Sequence, residues 1–191
     1  SIHPYVEMQD ARVILPTMNA EAILIWFIRL LKGWQAIHRA GILHGDINLD
    51  NIRCQKVRGQ FLPLWTDLNT LEPEKGEISL FISPEFMAPH VHEYKDYDLK
   101  AEIWALGVYL YTMCIGKFPF GSRQQGSSEE LELIAERIRA KNIDWEVLSI
   151  LHDSLREMIK CIFKEESTPS DIARAIKTLK KPLGLKKYFI V

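Results

Sequence analysis

The run His44-Gly45-Asp46-Ile47-Asn48-Leu49-Asp50-Asn51 sets an aspartate and an asparagine five positions apart. Moving a phosphoryl group uses such a pair. One carboxylate orients or deprotonates the attacking hydroxyl, while an amide oxygen and a second carboxylate hold the metal that neutralises the phosphates. Asp67, closing the next β-prone run, is placed to be that second carboxylate. The same spacing also occurs in ordinary turns and caps, so the surrounding elements decide its meaning.

Those elements can be read locally. Asn19 with Glu21 in the first turn predicts a capped helix in which Ile23, Phe27, Leu30, Leu31, Trp34 and Ile37 keep helical spacing until Gly41 stops it. The loop follows directly. Two β-prone runs, 51–57 and 61–66, flank Arg58-Gly59-Gln60 and predict a hairpin. Upstream, 6–8 and 12–15 read as short strands around a turn at Gln9-Asp10, ended by Pro16. Loop is expected from the second hairpin to about Lys95. Asp98 then caps an unusually apolar helix from Leu99 to about Ile115, closed by Gly116. Ser127-Ser128-Glu129-Glu130 fits a capping box ahead of a helix to Lys141, Asp153 starts another that ends near Phe163, and Thr168-Pro169 opens a last one. The order is a little strand followed by many helices.

Bulk properties set outer bounds. The chain has 191 residues, 47% of them hydrophobic and 26% charged, enough for one substantial core. With 24 Lys plus Arg against 25 Asp plus Glu, net charge gives no drive toward nucleic acid or an anionic membrane. Cys54, Cys114 and Cys161 are odd in number and far apart, which predicts buried free thiols in a reducing, cytoplasmic or other intracellular compartment. No apolar run is long enough for a membrane span and no signal-peptide pattern opens the chain. The first residue is Ser1, without Met and directly in strand-like sequence, so a fragment or processed chain is expected.

Beyond the catalytic-type loop, several segments in a fixed order resemble the protein kinase family across nearly the whole chain. His3-Pro4-Tyr5-Val6 is similar to the turn leading into the fourth small-lobe strand, and Leu15-Pro16-Thr17-Met18 to the gatekeeper and hinge. Asp67-Leu68-Asn69 stands where Asp-Phe-Gly is usual, and 83–90 resembles Thr-Pro-Glu-Tyr-Met-Ala-Pro-Glu. Glu102-Ile103-Trp104-Ala105-Leu106-Gly107 resembles Asp-x-Trp-Ser-Leu-Gly, and 116–120 the segment after it. Aminoglycoside- and choline-type phosphotransferases share the Asp46, Asn51 and Asp67 pattern but have no equivalent of the two later runs.

The resemblance implies an α+β, mainly α fold: a residual small-lobe hairpin and hinge over 1–18 and a kinase-like large lobe over 19–191. It implies Asp46 as catalytic base, Asn51 and Asp67 as Mg2+ ligands, the Met18 backbone as the adenine contact, and ATP as cosubstrate. The implied partner is a protein, as substrate or as regulatory partner. Several positions depart from the family pattern. Asn48 replaces the catalytic-loop lysine, and Arg53 falls at the adenine floor, where an unpaired guanidinium would be expensive. Gly45 removes the arginine that reads activation-loop phosphate, arguing against control at Thr70 or Ser79. His90 and Thr168 stand at the two ends of a lost buried ion pair. Glu102 replaces an aspartate that braces the catalytic loop, and its extra methylene is expected to shift that bond. His44 is expected to pack and brace rather than transfer protons. The glycine-rich loop and the phosphate-holding lysine would precede His3, leaving a small lobe to be supplied from upstream or by another chain. Two readings remain: a serine/threonine-directed kinase completed in that way, or a pseudokinase that docks a partner through the helices between Ser127 and Leu179 or through an apolar surface left by the missing lobe.

Overall fold

The structure is a computed structural model describing residues 8–67, 72–73, 83–94, 97–122, 127–164, 168, 170–171 and 174. The expectations at His3 to Val6, Leu68-Asn69, Thr70, Ser79 and beyond Arg174 lie outside these residues.

Strand β1 (Met8–Asp10) leads into a four-residue helix α1 (Ala11–Ile14) and a 3-10 turn (Leu15–Thr17). The strand expected over 12–15 is therefore helical. Asp10 caps α1 by accepting from the Arg12 N–H at 2.8 Å, and Pro16 suits the first turn of the 3-10 segment. The partner of β1 is β3 (Ile52–Val57), antiparallel, with Gln9 opposite Cys54 and Asp10 opposite Arg53. β3 then pairs with β4 (Gln60–Trp65) through a two-residue turn in which Arg58 and Gly59 have φ of 48° and 79°. Both positions are left-handed, as this turn type demands.

Helix α2 (Ala20–Arg39) begins at Asn19, whose Oδ1 accepts from the Ala22 N–H at 2.9 Å, and runs on until Gly41 at φ 77°. Its buried side includes Leu24, Trp26, Phe27, Ile28, Leu31 and Trp34. β2 (Ile42–Leu43) pairs antiparallel with β5 (Glu72–Pro73), a two-residue ladder inside the stretch expected to be loop. A 3-10 turn (Pro84–Phe86) and helix α3 (Pro89–Tyr94) also fall in that stretch.

Helix α4 (Leu99–Ile115) is capped by Asp98 and stopped by Gly116 at φ 77°. Every residue from Ala101 to Tyr111 is buried, as a helix apolar all round requires. It packs on α2, where Trp26 stacks on Tyr109 with centroids 5.9 Å apart, and on α6 (Asp153–Ile162). A Cβ at Gly107 would lie 2.6 Å from Ile162 Cγ2, so glycine is what permits that approach. Helix α5 (Ser128–Arg139) starts where Ser127 Oγ accepts from the Glu130 N–H. Thr168 and Asp171 exchange reciprocal capping bonds at 3.1 and 3.2 Å. None of the three cysteines is in a disulfide, and only Cys54 is fully buried, Cys114 and Cys161 being half-buried. No described helix is long and apolar enough to cross a membrane.

Candidate functional site

The loop between β2 and β3 is held from three sides. From below, Glu102 on α4, with no solvent exposure, accepts from the Gly45 N–H at 2.9 Å and from Trp34 Nε1 at 2.6 Å. The extra methylene of Glu102 therefore does not break the brace: one carboxylate spans α2 and the loop. Gly45 sits at φ 82°, a conformation that favours glycine. Burial pushes the Glu102 carboxyl up, opposed by the bonds from Gly45 and Trp34.

From the hairpin, Thr66 closes the ladder by donating its N–H to Asn51 O at 3.0 Å, while its carbonyl accepts from His44 Nε2 at 3.2 Å. His44 Nδ1 receives the Asp46 N–H at 3.4 Å, which fixes the Nε2–H tautomer. Burial pushes the His44 pKa down, so the ring is a neutral brace. Asp67, the residue after Thr66, is exposed and left-handed at φ 58°, which an aspartate tolerates.

Within the loop, Asp46 is clamped by two amides. Asn48 Nδ2 donates to Oδ1 at 2.7 Å, and Asn51 Nδ2 donates to Oδ2 at 2.7 Å and to the Asp46 carbonyl at 2.9 Å. Asn48 Oδ1 in turn accepts from the Asp50 and Asn51 N–H groups at 2.8 and 3.1 Å. Desolvation raises the Asp46 pKa; the two amides oppose the rise and the negative charge of Asp67 adds to it. A carboxylate so held can accept a proton from a hydroxyl lodged against it. Asn51 and Asp67 carry oxygen donors of the hard kind that Mg2+ takes, beside the Asp46 carboxylate, whose pKa the Asp67 charge raises. The loop from His44 to Asn51 carries no lysine or arginine, so Asn48 supplies shape where a cation would supply charge.

Arg53 lies on β3 but is neither unpaired nor sealed from water. Its side chain is 35% exposed and its Nη1 lies 3.1 Å from Asp10 Oδ2. Asp10 also binds Arg12, whose Nη2 reaches Asp50 in the loop at 2.9 Å. A chain of alternating charges thus links β1, α1, the loop and β3. Sequence reasoning missed the Asp10–Arg53 pair because its two members lie on strands 43 positions apart in the chain. Bonding to Arg12 holds the Asp10 carboxyl at about 2, against an ordinary 3.8. A depressed carboxylate stabilises the fold above its unfolded pKa, and that stability is lost as pH falls through the window from 3.8 to about 2. Asp10→Asn is expected to lose about 1 kcal/mol at neutral pH, after allowing for solvent screening, and to flatten stability across that window in urea titrations.

Met18 follows the 3-10 turn at the start of α2, where it lines a hollow with Trp26, Arg29 and Phe61. The segment alongside Arg53 is Gln9-Asp10 instead. His90, at one end of the lost ion pair, has its Nε2 3.0 Å from Asp98 Oδ1, while Thr168 bonds Asp171.

Comparison with known proteins agrees with this arrangement. Residues 4–174 match the family described as "Protein kinase domain". The chain is 34% identical over 113 residues to "Serine/threonine-protein kinase pkpA" of Phycomyces blakesleeanus, covering 58% of this chain and 18% of that protein. It is 25% identical over 159 residues to "Serine/threonine-protein kinase PLK4" of Drosophila willistoni, covering 82% and 19%, and 33% identical over 108 residues to "Serine/threonine-protein kinase Nek5" of Mus musculus, covering 54% and 17%. The matched stretches span less than a fifth of these curated relatives.

Proposed function

This chain belongs to the protein kinase family, and from that membership we propose that it supplies the large-lobe half of a serine/threonine-directed kinase site. The donor is ATP and the acceptor a hydroxyl on a protein substrate, with the rest of the nucleotide site contributed from upstream or by another chain. The observation that carries this reading is the Asp46 carboxylate held by the Asn48 and Asn51 amides at 2.7 Å each, with Asp67 close enough to raise its pKa.

In this mechanism the amides aim the Asp46 carboxylate at the acceptor hydroxyl, and Asp46 takes its proton as the oxygen turns toward phosphorus. Asn51 and Asp67 would hold Mg2+, which would offset the negative charge of the phosphates. Glu102 and His44 act as positioning residues, fixing the loop backbone from α4 and from the hairpin. The backbone of Gln9-Asp10, beside Arg53, rather than that of Met18, is the edge on which we place the adenine contact.

A second reading, a regulatory binding module without phosphoryl transfer, is favoured by one observation: no cation in the loop takes the place left by Asn48. Thermal unfolding of the longest natural form, with and without MgATP and beside an Arg53→Leu variant, separates the two. Ligand at about a hundredfold over its dissociation constant stabilises by roughly 2.7 kcal/mol, a clear shift in midpoint. A magnesium-dependent shift in the natural protein is the expected result. If a shift arises only once Arg53 is replaced, the guanidinium closes the adenine site, and the binding-module reading stands instead.

A further inference from the structure

At the start of α2, a hollow of about 390 Å³ opens between that helix and β4. Its wall is mostly apolar, built by Met18, Ala22, Ile25, Trp26 and Phe61. The back of the wall is fixed by the core, because Trp26 stacks on the Tyr109 ring of α4 with centroids 5.9 Å apart. One edge is different. Arg29, half-buried, lines the hollow and donates from Nη2 to Gln60 Oε1 at 3.0 Å, a neutral amide on β4. That bond does not balance the guanidinium charge. Arg29 forms no ion pair among the described residues, and no Asp or Glu is among the described residues lining the hollow. Lys56 adds charge of the same sign, its Nζ 5.7 Å from the centroid of the Phe61 ring. A half-buried guanidinium beside apolar walls favours an anion, and its planar fork fits a carboxylate.

We propose that this hollow binds a small apolar carboxylate, its aromatic or branched body among Met18, Trp26 and Phe61 and its carboxylate on the Arg29 guanidinium. The bond to Gln60 uses one of five N–H donors, so a two-bond contact with a carboxylate does not require that bond to break. The apolar wall selects against a bare anion, and a second negative charge on the ligand would be desolvated against Ile25 and Phe61. The volume is that of a small-molecule site. None of the residues used in this argument lies in the loop from His44 to Asn51, and Asp67 is not among them, so the site stands whether or not the chain transfers phosphate.

The test is a titration of the full chain, carrying 13C at its five methionine methyls, with 2-naphthoate. Neutral 2-naphthylmethanol is run in parallel, and the Met18 signal is assigned by its loss in Met18→Leu. The expected result is saturable movement of the Met18 methyl by the carboxylate while that of Met158, fully buried in the core, stays still. Binding should be about tenfold weaker for the alcohol and for Arg29→Gln, whose unmoved Met158 signal shows that the fold is kept. Ala22→Trp, which leaves Arg29 in place and puts an indole into the hollow, should abolish it. If Arg29→Gln fails to fold, the alcohol and Ala22→Trp decide. An unmoved Met18 signal at millimolar naphthoate overturns the proposal. So does equal binding of the alcohol or by Arg29→Gln, and so does undiminished binding by Ala22→Trp.

Discussion

Glu102→Ala is expected to lower unfolding stability by about 3 to 5 kcal/mol, the largest loss for any single polar residue in the described core. The carboxylate is fully buried and satisfies two donors at once, Trp34 Nε1 at 2.6 Å and the Gly45 N–H at 2.9 Å. Truncation leaves both donors unsatisfied, each at about 1 to 3 kcal/mol, and opens a cavity where the side chain was. Urea denaturation reads the loss directly. A double-mutant cycle with Trp34→Phe identifies the cause, because removing the orphaned donor should restore part of it, with a coupling of more than about 1 kcal/mol. Additive losses would mean that Glu102 acts through bulk alone. The pH dependence has a definite sign. The folded carboxyl titrates above its ordinary 4.5, so its contribution to stability falls as pH rises through the window above that value. The ionised brace is held in place by the fold and is not a source of alkaline stability.

Asp46→Asn is expected to lower phosphoryl transfer by the longest natural form by about 10²- to 10⁴-fold while leaving MgATP binding in place. The substitution preserves shape but removes the proton acceptor. It also turns one of two accepting oxygens into a donor facing Asn48 or Asn51, so a stability loss of about 1 kcal/mol accompanies it. Turnover and midpoint therefore move by very different amounts, which separates a chemical role from a structural one. Because burial and Asp67 hold the Asp46 pKa above its ordinary 3.8, the acid limb of the rate profile should also lie above that value. An unchanged rate in Asp46→Asn would remove the base assignment and leave the family membership intact.

These two residues mark different degrees of legibility. Asp46, Asn48 and Asn51 lie within six positions of one another, so their mutual bonds follow from a short loop, and the sequence pattern locates them. The long helices are equally local. Asn19, Asp98 and Ser127 each cap the helix that follows, Gly41 and Gly116 stop two of them in left-handed backbone, and the Arg58-Gly59 turn sets the hairpin register. Capping, turn chemistry and periodicity act over one to four residues, so they can be read along the chain.

Elsewhere the deciding contacts are distant in sequence. Residues 12–15 have strand-like composition, yet the Asp10 carboxylate both caps α1 and joins Arg12 to Arg53 on a strand more than forty residues away, and this non-local set overrides the local preference. The β2–β5 ladder, two residues a side, has too little pattern to see in either strand alone. By periodicity alone Glu102 reads as an acid in an apolar helix; only the family resemblance marks it as a loop brace, and the structure shows that bond made to the Gly45 N–H at 2.9 Å. What the sequence by itself determined is the long helices and the loop from His44 to Asn51, because their signals are local. Only tertiary structure decided that Glu102 joins the Trp34 indole to the loop backbone and that Arg53 has a partner in Asp10, because each depends on side chains converging from elements whose separation along the chain carries no trace of their distance in space.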